Sequence, residues 1–481
     1  MGRGKFHRAV GLVIAVLAST GATLLWFAVI AGGPDMADAP THEAIVGVWS
    51  LLYNTDSPGP RVILAAMALA LTMAASVALL ERRITTRSRR SSNPAITPLA
   101  PKVVMAATHG DFAGPVTVTV LIPAHNEEAS LPSTLASLLA QSHRPDRIIV
   151  VADNCTDSTA DAARRAGVEV IESAGNTQKK AGALNQALTG LLPGQGENDV
   201  VMVMDADTQL DDGFLAAAVT RFTEDRALMA VGGLFYGEEG HGLLGQFQRN
   251  EYIRYGRQIR RRRGRVFVLT GTASLFRPRA LRTVAGQRGD SLPGNAGDFY
   301  DTAALTEDNE LTIALKSVGA LMISPSECTV VTELMPSWQM LWAQRLRWQR
   351  GALENIGEYG ITPQTLRYWA QQLGIGYGVI ALGCYLVLLL LMVLSLDDWI
   401  WFPFWVGLGI VFIVERVATV WHGGWRARLL AMLLLPELFF DMFLNIVYVK
   451  GIIDISLGRT AHWKHLTHPT SGTGTPVRVG P

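Results

Sequence analysis

The sequence predicts an α/β domain, a mostly parallel sheet covered by helices on both faces, flanked on each side by membrane-spanning helices. Three observations lead there. First, Val200-Val201-Met202-Val203-Met204 is an unbroken apolar run that stops at Asp205-Ala206-Asp207. Such a run suits a strand buried on both faces. Second, the stretch 114–335 alternates short β-branched runs with helical periods, the pattern of a parallel sheet. Third, long apolar runs lie before and after that stretch, each of a length that suits a bilayer.

The flanks come first in the chain. Residues 9–31 and 62–80 are nearly uncharged and read as two spans. Arg3, Lys5 and Arg8 precede the first; Arg82, Arg83, Arg87, Arg89 and Arg90 follow the second. The loop between carries Asp35, Asp38, Glu43 and Asp56 against Arg61. The positive-inside rule therefore places both flanks, and the domain after them, in the cytoplasm. The first span resembles a signal peptide in position but is long for one, and it is expected to remain as an anchor. Residues 82–113, basic and rich in Pro and Ser, read as a linker.

Within 114–355 the expected elements are strands at 116–122, 147–152 and 168–171 and helices at 128–141, 158–166 and 180–191. The Asp205-Asp207 strand follows. Further helices are expected at 242–263, 305–317 and 338–354. Arg260 to Arg263 close the first of these; they suit phosphate, anionic lipid or a solvated helix C-terminus. Spans are expected at 373–394 and 400–418. A longer apolar stretch at 428–456 carries Glu437, Asp441 and Asn445 on one helix face. It is either a functional intramembrane site or a helix lying partly in the interface. The chain thus divides into 1–81 with two spans, the linker 82–113, the α/β domain 114–355, interfacial and membrane helices 356–458, and a basic, disordered tail 459–481.

Net charge is +1, so nothing in the bulk electrostatics favours nucleic acid. The hydrophobic share of 49% fits a membrane protein. Cys155, Cys328 and Cys384 have no metal spacing and read as free thiols of a reducing compartment.

Four constellations carry chemistry. Asp205 and Asp207 are two apart on an extended segment, so both carboxylates point one way. At a strand's carboxyl end they can hold Mg²⁺ or Mn²⁺ together with a diphosphate, although alone they are also a plain solvated turn. Asp153 and Asp157 follow the next strand, beside His125-Asn126-Glu127-Glu128. Asp153 can accept from a nucleobase or ribose, whereas Asp157 suits a helix cap. Lys180, opening a helix in Lys179-Lys180-Ala181-Gly182, can meet a phosphate. Thr306-Glu307-Asp308 opens another helix, as a cap or as a general base. Finally, Gln344, Arg347 and Trp348 share one helix face and suit a diphosphate and a sugar ring. An interfacial belt of Trp and Arg gives the same residues.

In this order and spacing the motifs resemble the membrane glycosyltransferases of family 2, which include cellulose, hyaluronan, chitin and poly-N-acetylglucosamine synthases. The resemblance covers residues 116–351. It implies a GT-A-like fold, a doubly wound mixed sheet on the cytoplasmic side of a multi-pass protein of the cell (inner) membrane. It implies inverting transfer from a UDP-sugar to a growing polysaccharide or other glycan acceptor. Asp308 would be the base and Asp205 and Asp207 the metal and diphosphate ligands. Asp153 would meet uracil or ribose, and Lys180 the nucleotide. Glu307 would stand beside the base, Gly271 and Thr272 would floor the acceptor site, and Gln344, Arg347 and Trp348 would line the acceptor and diphosphate end. The chain departs from the family at Ala152-Asp153-Asn154-Cys155, where two acids, a glycine and a serine are common. Five expected spans are also fewer than polymer channels use. Transfer of a single sugar to a lipid or lipid-linked acceptor, and a non-enzymatic membrane scaffold, are the alternatives.

Overall fold

The computed structural model describes residues 41–46, 49–54, 59–108, 114–262, 264–394 and 403–459. The expected span at 9–31, Arg263 and the tail beyond residue 459 lie outside the described residues. In chain order the first elements are β1 (Thr41–Val46), β2 (Trp49–Asn54), α1 (Pro60–Arg90) and α2 (Pro101–Ala107). The α/β part follows with β3 (Thr117–Ala124), α3 (Leu131–Leu139), β4 (Arg147–Ala152), α4 (Thr159–Arg165), β5 (Glu169–Glu172), α5 (Lys179–Leu191) and β6 (Asp199–Val203). Next come β7 (Thr208–Leu210), α6 (Phe214–Glu224), β8 (Leu228–Gly232), β9 (Leu234–Gly237), α7 (Gly242–Arg261), β10 (Ser274–Phe276) and α8 (Pro278–Gln287). The chain continues with α9 (Glu307–Ser317), β11 (Leu321–Ile323), β12 (Thr329–Thr332), α10 (Trp338–Tyr359), α11 (Leu366–Leu394), α12 (Pro403–Thr419), α13 (Gly424–Met432) and α14 (Leu435–Ser456).

The main sheet has the order β11-β8-β10-β6-β3-β4-β5. Strands β3 to β6 are parallel, and β10 runs antiparallel between β6 and β8. This is the expected GT-A-like α/β fold with a mixed sheet. Its two faces bury alternate side chains of the same strands, as a period of two requires. Val201 and Val203 join Leu121, Ile149, Leu184 and Leu311 on one face; Val200, Met202 and Met204 join Val120, Leu135 and Phe214 on the other. A three-stranded sheet, β7-β12-β9, stands beside it.

Two compact units divide the chain. Among the described residues, one comprises 86–360 with 419–430 and 446–459; the other comprises those up to 85, 361–418 and 431–445. The expected linker is in part structure. α1 runs on through Arg90, and Leu99, Ala100 and Val104 are buried. Leu99 N also donates to Val318 O at 3.0 Å. The polar composition of 82–113 concealed these few apolar anchors.

By length and composition, α1 and α11 can cross a membrane. A third candidate is the pair 421–432 and 435–456, bent by 90°. Thus the single stretch expected at 428–456 is two helices, broken where Leu434 takes φ +49° just before Pro436. Of the span expected at 400–418, residues 400–402 lie outside the described residues and α12 covers the rest. Glu437 and Asp441 share a partner as their spacing suggests, since both pair with Arg416 of α12.

Candidate active site

Because β6, β3 and β4 are parallel neighbours, their carboxyl ends bring Asp205, Glu127 and Asp153 to one edge of the sheet. The order of that edge follows from the crossovers and not from sequence distance. Helix α5 starts beside it and carries Lys180, while the turn before β10 carries Gly271.

Lys180 is the hub. Its Nζ lies 2.6 Å from Asp205 Oδ1, 3.3 Å from Glu307 Oε1 and 4.0 Å from Asp308 Oδ1. Three carboxylates hold the ammonium well above its ordinary range, against a desolvation that works the other way. Gly271 explains how the groups come so close. A Cβ there would stand 2.5 Å from Asp308 Oδ2, 2.7 Å from Lys180 Nζ and 3.1 Å from Asp205 Oδ2. The backbone of the same turn is tied to the strand end, since Asp205 N donates to Gly271 O at 3.0 Å. Thr272 faces its neighbour Thr270, the two hydroxyls 2.7 Å apart.

Burial, then the charges of Glu307 and Asp205, push the Asp308 carboxyl up to about 7, with Lys180 and Arg347 pulling against them. Arg347 thus stands within electrostatic reach of Asp308. Burial and the charges of Asp205, Glu127 and Glu333 push Asp207 up to about 8. Negative charge is therefore concentrated around Asp207 at this edge. Among the described residues no group of three His, Cys, Asp or Glu side chains is arranged to hold a metal ion. Asp205 and Asp207 would need oxygens from a substrate or water to complete a hard-cation shell, as Mg²⁺ sites on nucleotide phosphates ordinarily do.

Asp153 lies apart from the Lys180 cluster. It is buried, and its Oδ1 accepts from Ser173 Oγ at 2.6 Å, Asn176 Nδ2 at 2.8 Å and Asn154 Nδ2 at 3.1 Å. Its Oδ2 takes no hydrogen bond among the described residues. Asp157 does what a cap does: its Oδ1 accepts from Thr159 N at 3.0 Å. Its Oδ2 accepts from Glu128 N at 3.1 Å, and Glu128 Oε2 in turn accepts from Ser158 N at 3.0 Å.

Thr306-Glu307-Asp308 opens α9 as expected, with Thr306 at the cap position but making no side-chain cap bond. Helix α10 seats itself on that turn. Asn355 Nδ2 donates to Thr306 O at 3.1 Å and to Asn309 Oδ1 at 3.1 Å, and Gly351 leaves no room for a Cβ, which would fall 2.5 Å from Thr306 Oγ1. These contacts tie α10, the helix that carries Gln344, Arg347 and Trp348, to the first turn of α9. Gln344 and Trp348 form a second cluster around Arg345, a residue given no role in the sequence reading. Glu127, Glu333 and Arg345 are thus additions. Glu127 stood inside the quoted post-strand motif, whereas nothing local to Glu333 marks it.

A family model described as glycosyl transferase family 2 matches residues 119–285. The poly-β-1,6-N-acetyl-D-glucosamine synthase of Staphylococcus aureus (strain COL) is 28% identical over 57% of this chain. The match spans 64% of that relative, less than two thirds of its length. A probable glycosyltransferase of Bacillus subtilis (strain 168), YdaM, is 30% identical over 49% of this chain and 54% of its own. Among solved structures, a mannosyltransferase of Pyrobaculum calidifontis, PcManGT, in complex with GDP-Man and Mn²⁺ aligns over 82% of this chain and 99% of that one. Its identity is 17% and its TM-score 0.49. Residues 119–285 thus resemble the family 2 glycosyl transferases, and the chain is similar over 57% of its length to a poly-β-1,6-N-acetyl-D-glucosamine synthase.

Proposed function

We propose that the chain is an inverting glycosyltransferase moving a sugar from a UDP-sugar to a hydroxyl of a growing polysaccharide or glycan. The observation that carries this reading is the packing of Lys180, Asp205, Glu307 and Asp308 around Gly271. It places a carboxylate with an elevated proton affinity beside a cation and a strand-end acid pair. In the reaction, the acceptor oxygen attacks the anomeric carbon as the bond from that carbon to the diphosphate oxygen breaks, its electron pair leaving with UDP. The acceptor proton passes to the Asp308 carboxylate. One displacement inverts the anomeric centre, and no enzyme nucleophile is required. Lys180 keeps Asp205 in place and offers its charge to the diphosphate on binding. Arg347 adds positive charge near the same centre. Asp153 accepts from the uracil or ribose through Oδ2. Gly271 and Thr272 bound the acceptor site, with Glu307 beside the base and Gln344 and Trp348 on the acceptor and diphosphate side.

Asp205 and Asp207 would hold Mg²⁺ or Mn²⁺, which supplies charge neutralisation for the departing diphosphate. N-acetylglucosamine is the first sugar to test, because the Staphylococcus aureus relative is a poly-N-acetylglucosamine synthase. The domain is read as cytoplasmic, on a protein anchored in the cell membrane by α1, α11 and the helices around 421–456. Processive polymerisation is one form of this function; a single transfer to a lipid-linked acceptor is the other. Incubating the full chain in membranes with UDP-N-acetylglucosamine and other UDP-sugars, then sizing the product, tests both. Polymer supports the first, one added sugar the second, and no metal-dependent UDP release would refute the proposal.

A further inference from the structure

Arg345 lies between Gln344 and Trp348 in sequence and has no part in the chemistry above. Its side chain is 2% exposed. Its Nη2 stands 2.9 Å from Glu251 Oε2 on α7, and its Nη1 donates to Gln344 Oε1 at 2.6 Å. The guanidinium carbon lies 4.3 Å from the centroid of the Trp348 ring and 5.6 Å from that of Tyr252. Its Nε is buried with no acceptor among the described residues. Asp207 adds to the rise of the buried Tyr252 phenol, so the cluster stands within electrostatic reach of the metal-binding edge.

A guanidinium only donates. Gln344 must therefore turn its carbonyl to Arg345, whichever way the amide would otherwise be assigned, and its amide nitrogen is left for other partners. The same guanidinium lies against the Trp348 ring. Resting on the transferase reading above, we propose that Arg345 is a positioning residue. It makes Gln344 a pure donor toward ligand and fixes the Trp348 indole through that stacking contact. The ligand atom that Gln344 recognises is then an acceptor oxygen, of the diphosphate or of a sugar hydroxyl.

The test uses the full chain in detergent or nanodiscs, with UDP and a short N-acetylglucosamine oligosaccharide as probes. Arg345→Lys keeps a charge opposite Glu251 but cannot fork to Gln344 while stacking on Trp348. Gln344→Glu keeps Arg345 partnered but removes the donor. Both variants are expected to raise the same constant by about tenfold, as for loss of a hydrogen bond to a charged or polar ligand, with kcat little changed. A rise in the Kd for UDP assigns Gln344 to the diphosphate; a rise in the acceptor KM assigns it to the sugar. If Arg345→Lys leaves both constants at the wild-type value, or lowers kcat alone, the proposal is wrong. A readout without substrate stands beside it: the acrylamide quenching owed to Trp348, taken as the difference from a Trp348→Phe chain. Arg345→Met is expected to raise it, and an unchanged value would overturn the positioning role. Should the wild-type chain neither bind UDP nor transfer sugar, the transferase reading fails, and the quenching still decides on Arg345.

Discussion

Gly271→Ala is the perturbation whose consequence the geometry defines most closely. The added Cβ would lie 2.5 Å from Asp308 Oδ2, 2.7 Å from Lys180 Nζ and 3.1 Å from Asp205 Oδ2. Ordinary contact between carbon and oxygen begins at about 3.5 Å, so the Asp308 carboxylate must retreat by about 1 Å. All three atoms are the far ends of side chains and can move, so the fold should survive. A displacement of about 1 Å in a reacting group costs on the order of a hundredfold in rate. The expected result is a folded protein with a thermal midpoint near wild type and a transfer rate lower by about that factor. Initial rates with saturating UDP-sugar and Mn²⁺, alongside a thermal melt, measure both. Wild-type turnover in Gly271→Ala would refute the crowding of these three groups around the turn.

Asp207→Asn should abolish transfer and weaken metal-dependent UDP binding, because a site with few protein oxygens loses one of its charges; near-normal activity at saturating Mg²⁺ or Mn²⁺ would exclude the assignment. With Asp308 raised to about 7, kcat/KM should rise with pH through that region as the base loses its proton, and a flat profile from pH 6 to 8 would count against Asp308. Asp207 is raised to about 8, above the roughly 3.9 of an unfolded chain. The folded protein then binds a proton that the unfolded one releases, so this carboxyl lowers stability as pH climbs from about 4 to 8. Thermal melts in EDTA should follow that fall, and Mn²⁺ should raise the midpoint more at pH 8 than at pH 6; equal shifts at the two pH values would contradict the reading.

The fold was legible because its signal is periodic. The apolar runs that become β3, β4 and β6 are buried on both faces, and runs of that kind need no knowledge of their neighbours. Strand β4 occupies 147–152, the range its β-branched run suggests. The candidate site was legible only where a motif is short and local, as in Asp205-Ala206-Asp207 and Thr306-Glu307-Asp308. What the sequence concealed are contacts between distant segments. Glu333 meets Asp207 electrostatically only because β12 pairs with β7, which begins at the next residue. Arg345 was hidden differently, inside a motif whose face was drawn through Gln344, Arg347 and Trp348. Helical spacing gives the face but not the partner, and Glu251 and Tyr252 come from another helix. Leu99 and Val104 were missed because two buried apolar residues do not alter the composition of a polar stretch.

The central claim is that Asp308 takes the acceptor's proton, and Asp308→Asn tests it most directly. Asn keeps the shape of Asp but cannot serve as the base. Asp308 lies in the first turn of α9, where Thr306 holds the cap position, so the substitution removes one charge near a helix N-terminus. That costs about 0.3–1 kcal/mol, offset by relief from Glu307 and Asp205. The variant should therefore fold and bind UDP with nearly native affinity. Its transfer rate, measured as sugar incorporated per unit of folded protein at saturating donor, should fall by at least about a hundredfold. A variant that keeps more than about a tenth of the wild-type rate would contradict the assignment and turn the search for the base to Glu307.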